Sequence, residues 1–98
     1  MQGAFNGKPL RVDLTQGTTG VEEVPELTYR TYLGGSALAA HILTRELKPG
    51  VDPLGPGNVL VFTTCLLTGA PISGTTRFTA AAKSPLTGGY GEAEAGGW

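Results

Sequence analysis

From Leu10 to Leu14 apolar and polar residues alternate as Leu-Arg-Val-Asp-Leu, the period-two pattern of a strand with one buried face. Thr15-Gln16-Gly17 supplies turn chemistry, and residues 20–24 can return as the partner strand, so the opening predicts a β-hairpin. Pro25 then starts a helical stretch with Glu26 in its first turn, where a carboxylate suits the positive end of the helix dipole. Leu27, Tyr32 and Leu33 are its candidate buried positions. Gly34-Gly35 interrupts the stretch, and a second helix is predicted from Ser36, its expected N-cap, to about Leu47. Leu38, Ala39, Ile42 and Leu43 fall on one face at helical spacing, and Lys48-Pro49-Gly50 is a stop signal.

Residues 50–58 read as a Gly/Pro-rich loop. Val59–Thr63 is a continuous apolar run, which predicts a central strand buried on both faces. After a second Gly/Pro loop at 69–74, Arg77–Ala82 reads as a further strand and Ser84–Gly89 as a turn. Residues 91–98 are glycine-rich without a clear period, and the chain stops there without a terminator. The predicted class is α+β: mixed or antiparallel strands with one interrupted helix packed on one side.

Composition narrows the function. Apolar residues make up 40% of the 98 and charged residues 15%, a balance unlike that of a disordered chain. A net charge of -1 leaves no basic excess to neutralise phosphates, which argues against nucleic acid. No apolar run approaches membrane-spanning length and no signal-like segment opens the chain. Cys65, the single cysteine, rules out an internal disulfide and is expected to be a small buried hydrophobe. The expectation is a soluble protein of a reducing compartment, the cytoplasm. The 16 glycines cluster where a backbone must turn or approach something closely.

Three segments invite chemistry. Leu67–Pro71 and Gly74–Thr76 place small residues before Arg77, whose planar, permanently charged guanidinium suits a phosphate; a solvated loop arginine is the alternative. Lys83–Gly89 is a turn preceded by a cation, and proline and glycine there need no ligand to explain them. Glu92 and Glu94, beside Gly96-Gly97, would suit a divalent cation or a charged strand edge. His41 is expected to be a surface or half-buried histidine on its helix rather than a ligand, and Tyr90 and Trp98 either pack or touch a cofactor. No nucleophile–base set can be assembled, and neither a dinucleotide fingerprint nor a phosphate-binding loop is present.

Taken in order, the segments resemble the opening of the aldehyde:ferredoxin oxidoreductase family. The matching phrases are Gly7-Lys8 with Leu10–Thr15, Tyr32-Leu33-Gly34-Gly35, and Leu38-Ala39-Ala40 with Ile42-Leu43. They continue through Val51–Asn58, Leu67-Thr68-Gly69, Arg77, Lys83–Gly88 and Gly96-Gly97. Ser36-Ala37 stands where the family commonly has Arg-Gly, and Cys65-Leu66 where it commonly has Gly-Pro.

The resemblance implies a tungsten, or sometimes molybdenum, bis-molybdopterin cofactor seated on a β-rich N-terminal domain, of which residues 1–98 would be an incomplete part. It implies aldehyde oxidation to a carboxylic acid with ferredoxin as acceptor, through a [4Fe-4S] cluster bound by parts of the enzyme outside this segment. By position, Arg77 matches an arginine that meets a pterin phosphate. Glu94 matches a residue whose backbone carbonyl helps hold a magnesium between the pterin phosphates. Gly96 matches a glycine lying along the pterin, with Ala95 and Gly97 beside it. The expected partners are the pterin cofactor and the remainder of the enzyme or a second subunit, with ferredoxin for the parent enzyme and a possible homo-oligomer. The rival expectations are a non-catalytic cofactor- or partner-binding module, and a structural fragment that self-associates through Val59–Phe62 and neighbouring strand edges.

Overall fold

A computed structural model describes residues 8–65 and 77–96. The order is β1 (Leu10–Asp13), β2 (Thr18–Val21), α1 (Glu26–Tyr32), α2 (Gly35–Glu46), β3 (Val61–Thr64), β4 (Arg77–Lys83) and β5 (Tyr90–Gly96). β1 and β2 form an antiparallel hairpin in the predicted place, with β2 beginning two residues earlier than the glycine signal suggested. Its turn is closed by Asp13, whose Oδ1 accepts the N–H of Thr15 and of Gln16. β3, β4 and β5 form a second antiparallel sheet in that spatial order. The fold is α+β, with every described strand pairing antiparallel.

The predicted helix break is present and has a defined geometry. α1 ends at Leu33, which takes the left-handed conformation (φ 63°) while its N–H reaches the Tyr29 carbonyl at 2.7 Å. Gly34 follows at φ 86° and passes so close to the end of β3 that an added Cβ would lie 2.3 Å from the Thr64 carbonyl oxygen. Gly34 also bridges to Cys65. Here the absence of a side chain is a packing requirement, because the obstacle is backbone. Tyr32 and His41 stack at a centroid distance of 4.2 Å, joining the two helices and using the half-buried histidine in packing.

α2 lies across β3 and β4. Its Leu38, Ala39 and Leu43 are buried, and Ala39 and Leu43 meet Ala81 of β4, with Leu47, Val59 and Val61 packed around them. Two alanines at the contact, Ala39 and Ala81, let helix and sheet approach closely.

Several expectations need correction. Ser36 is not the N-cap: Gly34 occupies that place with no side-chain cap bond, and the Ser36 hydroxyl is turned toward β5 instead. The apolar run 59–63 does not become a central strand. β3 is an edge of its sheet, one face is under α2 and the other is open, so Leu60 and Phe62 are exposed. Leu27 and Leu33 are exposed because α1 has no partner on that side among the described residues. Cys65 is exposed rather than buried, because it lies just beyond β3. Residues 90–96, which showed no period, form β5, because β4 supplies a full-length antiparallel template.

Candidate functional site

The register of β4 against β5 decides which residues meet. Arg77 lies opposite Gly96, Phe78 opposite Ala95, and Thr79 opposite Glu94. Directly paired residues share a face of the sheet, so Arg77, Glu94 and Gly96 sit together on one face at one end of the β4–β5 ribbon. Residues separated by 17 to 19 positions in the chain are thereby gathered without any tight loop. Gly97 lies outside the described residues, as do the small residues of 67–76 that precede Arg77.

Among the described residues, nothing covers this end of the ribbon. α2 buries Ala81 and Thr79 of β4, but Arg77, Glu94, Ala95 and Gly96 are all exposed. An added Cβ at Gly96 would meet nothing within 4 Å. β5 is also the sheet's outer strand, so one edge of its backbone faces away from β4. An exposed guanidinium beside an open, glycine-bearing strand edge offers a fixed cation and bare main-chain donors and acceptors. Those features fit a flat ligand that carries phosphate.

The acidic side chains have different surroundings. Glu92 accepts hydrogen bonds from the Ser36 hydroxyl of α2 and, at 2.7 Å, from the Tyr90 phenol two residues earlier on the same face. The Ser36 bond, then the Tyr90 bond, hold the Glu92 carboxyl below the ordinary glutamate range. Partial burial, helped by the neighbouring carboxylate, pushes the Tyr90 phenol up. Glu92 thus ties the start of α2 to the strand that carries Glu94 and Gly96. No cluster of three acidic, histidine or cysteine side chains suited to a metal exists among the described residues.

Lys83 and its turn are absorbed by structure. The Lys83 ammonium donates to the Val51 carbonyl. Ser84 closes the following turn through backbone bonds to Gly89 and Gly88 at 2.7 and 2.8 Å. A groove of about 330 Å³ lies at this opposite end of β4, away from Arg77 and Glu94. The residue that sequence reasoning did not single out is Asn58. Its amide nitrogen donates to the Pro53 and Lys83 carbonyls at 2.9 and 3.0 Å, and its oxygen accepts from the Val59 and Lys83 amides. One half-buried side chain thereby fixes the 50–58 loop to β4. The only available signal was an asparagine between a Gly/Pro loop and an apolar run.

Comparison with known proteins gives the chain a family. The family model "Aldehyde ferredoxin oxidoreductase, N-terminal domain" matches residues 9–98. The chain is 43% identical over 94 residues to a tungsten-containing aldehyde ferredoxin oxidoreductase of Thermococcus kodakarensis, covering 94% of this chain and 15% of that protein. It is 42% identical over 69 residues to the WOR-like subunit of an aliphatic sulfonate oxidoreductase of Pyrococcus furiosus, covering 67% of this chain and 11% of that one. Among solved structures, the active-site complex BamBC of benzoyl coenzyme A reductase superposes with a TM-score of 0.90 at 34% identity. That match covers 96% of this chain and 14% of the other. The chain therefore spans about one seventh of the length of these relatives.

Proposed function

Because the chain belongs to the aldehyde ferredoxin oxidoreductase family, matching its N-terminal domain, we propose that residues 1–98 are the cofactor-side N-terminal segment of a tungsten-dependent oxidoreductase. The observation that carries this reading is the β4–β5 register, which brings Arg77 against Gly96 and beside Glu94 on one exposed face. Three of the five positions expected to serve the cofactor, Arg77, Glu94 and Gly96, are gathered there by strand pairing alone, with Ala95 between Glu94 and Gly96 on the opposite face.

In this reading the Arg77 guanidinium holds a pterin phosphate by paired, charge-assisted hydrogen bonds. The Glu94 backbone carbonyl would help to hold a magnesium accompanying a bis-molybdopterin. Ala95, Gly96 and Gly97 present bare backbone along the pterin. Tungsten, or molybdenum, supplies the redox chemistry once the cofactor is bound, by which an aldehyde and water become a carboxylic acid with release of electrons and protons. The [4Fe-4S] cluster, the substrate pocket and the ferredoxin contact belong to polypeptide outside these residues, and the location proposed is the cytoplasm. Among the described residues no helix is long and apolar enough to cross a membrane.

The substrate is a separate matter. Relatives of this segment carry names that cover aldehydes, aliphatic sulfonates and a benzoyl thioester. A platform shared by such different reactants supplies cofactor contacts and leaves substrate choice to other parts of the enzyme. The aldehyde is therefore the reading favoured by the highest identities among those compared.

The test is metal and pterin analysis of the protein isolated at its native length. Tungsten and pterin are expected in the purified protein. Arg77→Ala should lose most of both, and Arg77→Lys should keep part because it retains the charge without the planar fork. Full cofactor content in Arg77→Ala would sink the assignment of Arg77. Aldehyde-dependent dye reduction by residues 1–98 alone would overturn the division of labour.

A further inference from the structure

The two faces of the β3–β4–β5 sheet differ in kind. On the face that carries α2, the strands place Arg77, Lys83, Glu92 and Glu94. The opposite face has Phe62, Phe78, Ala80, Ala82, Ala93 and Ala95 with one threonine, Thr64, and one glycine, Gly91, and not a single charge. Phe62 is 68% exposed and Phe78 39%. No described helix or strand packs on that side, since α2 lies across β3 and β4 from the other.

Three further observations bear on what belongs there. Val59–Thr63 is apolar without alternation, the pattern of a strand buried on both faces, yet only one face is covered. Leu60, Phe62 and Phe78, three large apolar residues in or next to this sheet, are all exposed. The relatives, finally, carry about six sevenths of their length outside the matched stretch.

We propose that the uncharged face of the β3–β4–β5 sheet is covered, in the protein at its native length, by an apolar layer of the same polypeptide lying outside residues 1–98. The occupant is polypeptide rather than the cofactor, because a phosphate-bearing ligand gains nothing from a face without a single donor charge, while the charged face beside it offers Arg77. It is the same chain rather than a second copy, because the length needed to cover the face is present in each relative outside the matched stretch. The inference rests on family membership and on the sheet's two faces; it does not depend on which residues hold the pterin.

Photo-crosslinking tests it with substitutions that keep an aromatic ring at each position. Phe62→p-benzoylphenylalanine, and separately Phe78→p-benzoylphenylalanine, would be introduced into the native-length protein and irradiated, and the linked peptides identified by mass spectrometry. The expected result is an intramolecular crosslink from each position to an apolar peptide outside residues 1–98, with the protein's mass unchanged. A crosslink joining two copies of the chain would overturn the proposal in favour of self-association. Linkage only within residues 1–98, or no peptide linkage at all, would overturn it in favour of an internal cover or of a non-protein occupant. A native mass equal to that of these 98 residues would also overturn it.

Discussion

The β1–β2 hairpin and the β3–β4–β5 sheet are both antiparallel, yet they are attached to the molecule by different physics. The hairpin buries none of its eight residues, and its apolar side chains Leu10, Val12 and Val21 are all exposed. What ties it to α2 is Arg11, whose guanidinium bonds Glu22 and, at 2.6 Å, Glu46. Those two bonds, the Glu46 bond first, raise the Arg11 pKa further above its already high value. The larger sheet is instead held by burial of Ala39, Leu43 and Ala81 between α2 and β4. Side chains that hold by charge at a half-exposed site contribute little and are screened by salt; side chains that hold by burial are insensitive to both.

The sharpest way to break the comparison is at the core. Leu43→Ala is expected to cost about 2–5 kcal/mol, since the side chain is 4% exposed and little can collapse into its place. Urea unfolding should show the loss as a lowered midpoint that salt does not restore. If α2 and β4 were held chiefly by polar contacts, the midpoint would barely move.

At the hairpin the effect should be smaller and of a different kind. Arg11→Ala is expected to change global stability by less than about 1 kcal/mol, because the ion pairs are half-exposed. Amide exchange in Leu10–Asp13 and Thr18–Val21 should nevertheless accelerate while that of α2 stays unchanged. Acceleration throughout the chain would show that the hairpin is part of the cooperative core.

The smallest effect concerns the tie between α2 and β5. A carboxyl whose pKa is lowered by folding adds stability above its unfolded-state pKa, and that stability is lost as pH falls through the folded value. Glu92 is such a group, through Ser36 and Tyr90. In an NMR titration its carboxyl should protonate below the ordinary glutamate pH. Ser36→Ala combined with Tyr90→Phe should return it to that range, and an unmoved titration would discard the hydrogen-bonded tie.

How much of this was legible in the sequence depended on whether the cause was local. The hairpin, α2 and the course of β4 follow from alternation, helical spacing and Gly/Pro punctuation, all read within a few residues. β5 was not legible, because Gly91, Ala93 and Gly96 carry little strand preference and the strand exists by pairing with β4. The burial of β3 was misjudged for a similar reason: an apolar run reports what a strand can bury, and the described residues cover only one side. Leu27 and Leu33 were misplaced by the same logic. At the site, Arg77, Glu94 and Gly96 could be named from a resemblance, but their convergence needed the register. The Asn58–Lys83 and Ser36–Glu92 bonds link positions 25 and 56 apart, and nothing in either neighbourhood announces the partner.

The doublet Gly34-Gly35 shows how identical letters can be required for different reasons. Both have positive φ, 86° and 60°. At Gly34 a side chain has nowhere to go, since the Thr64 carbonyl already occupies the space. At Gly35 an added methyl meets nothing within 4 Å, and the only objection to it is chirality. A residue of mirror-image configuration, introduced by chemical synthesis, would answer that objection at Gly35. One glycine is there for want of room, its neighbour for want of a hand.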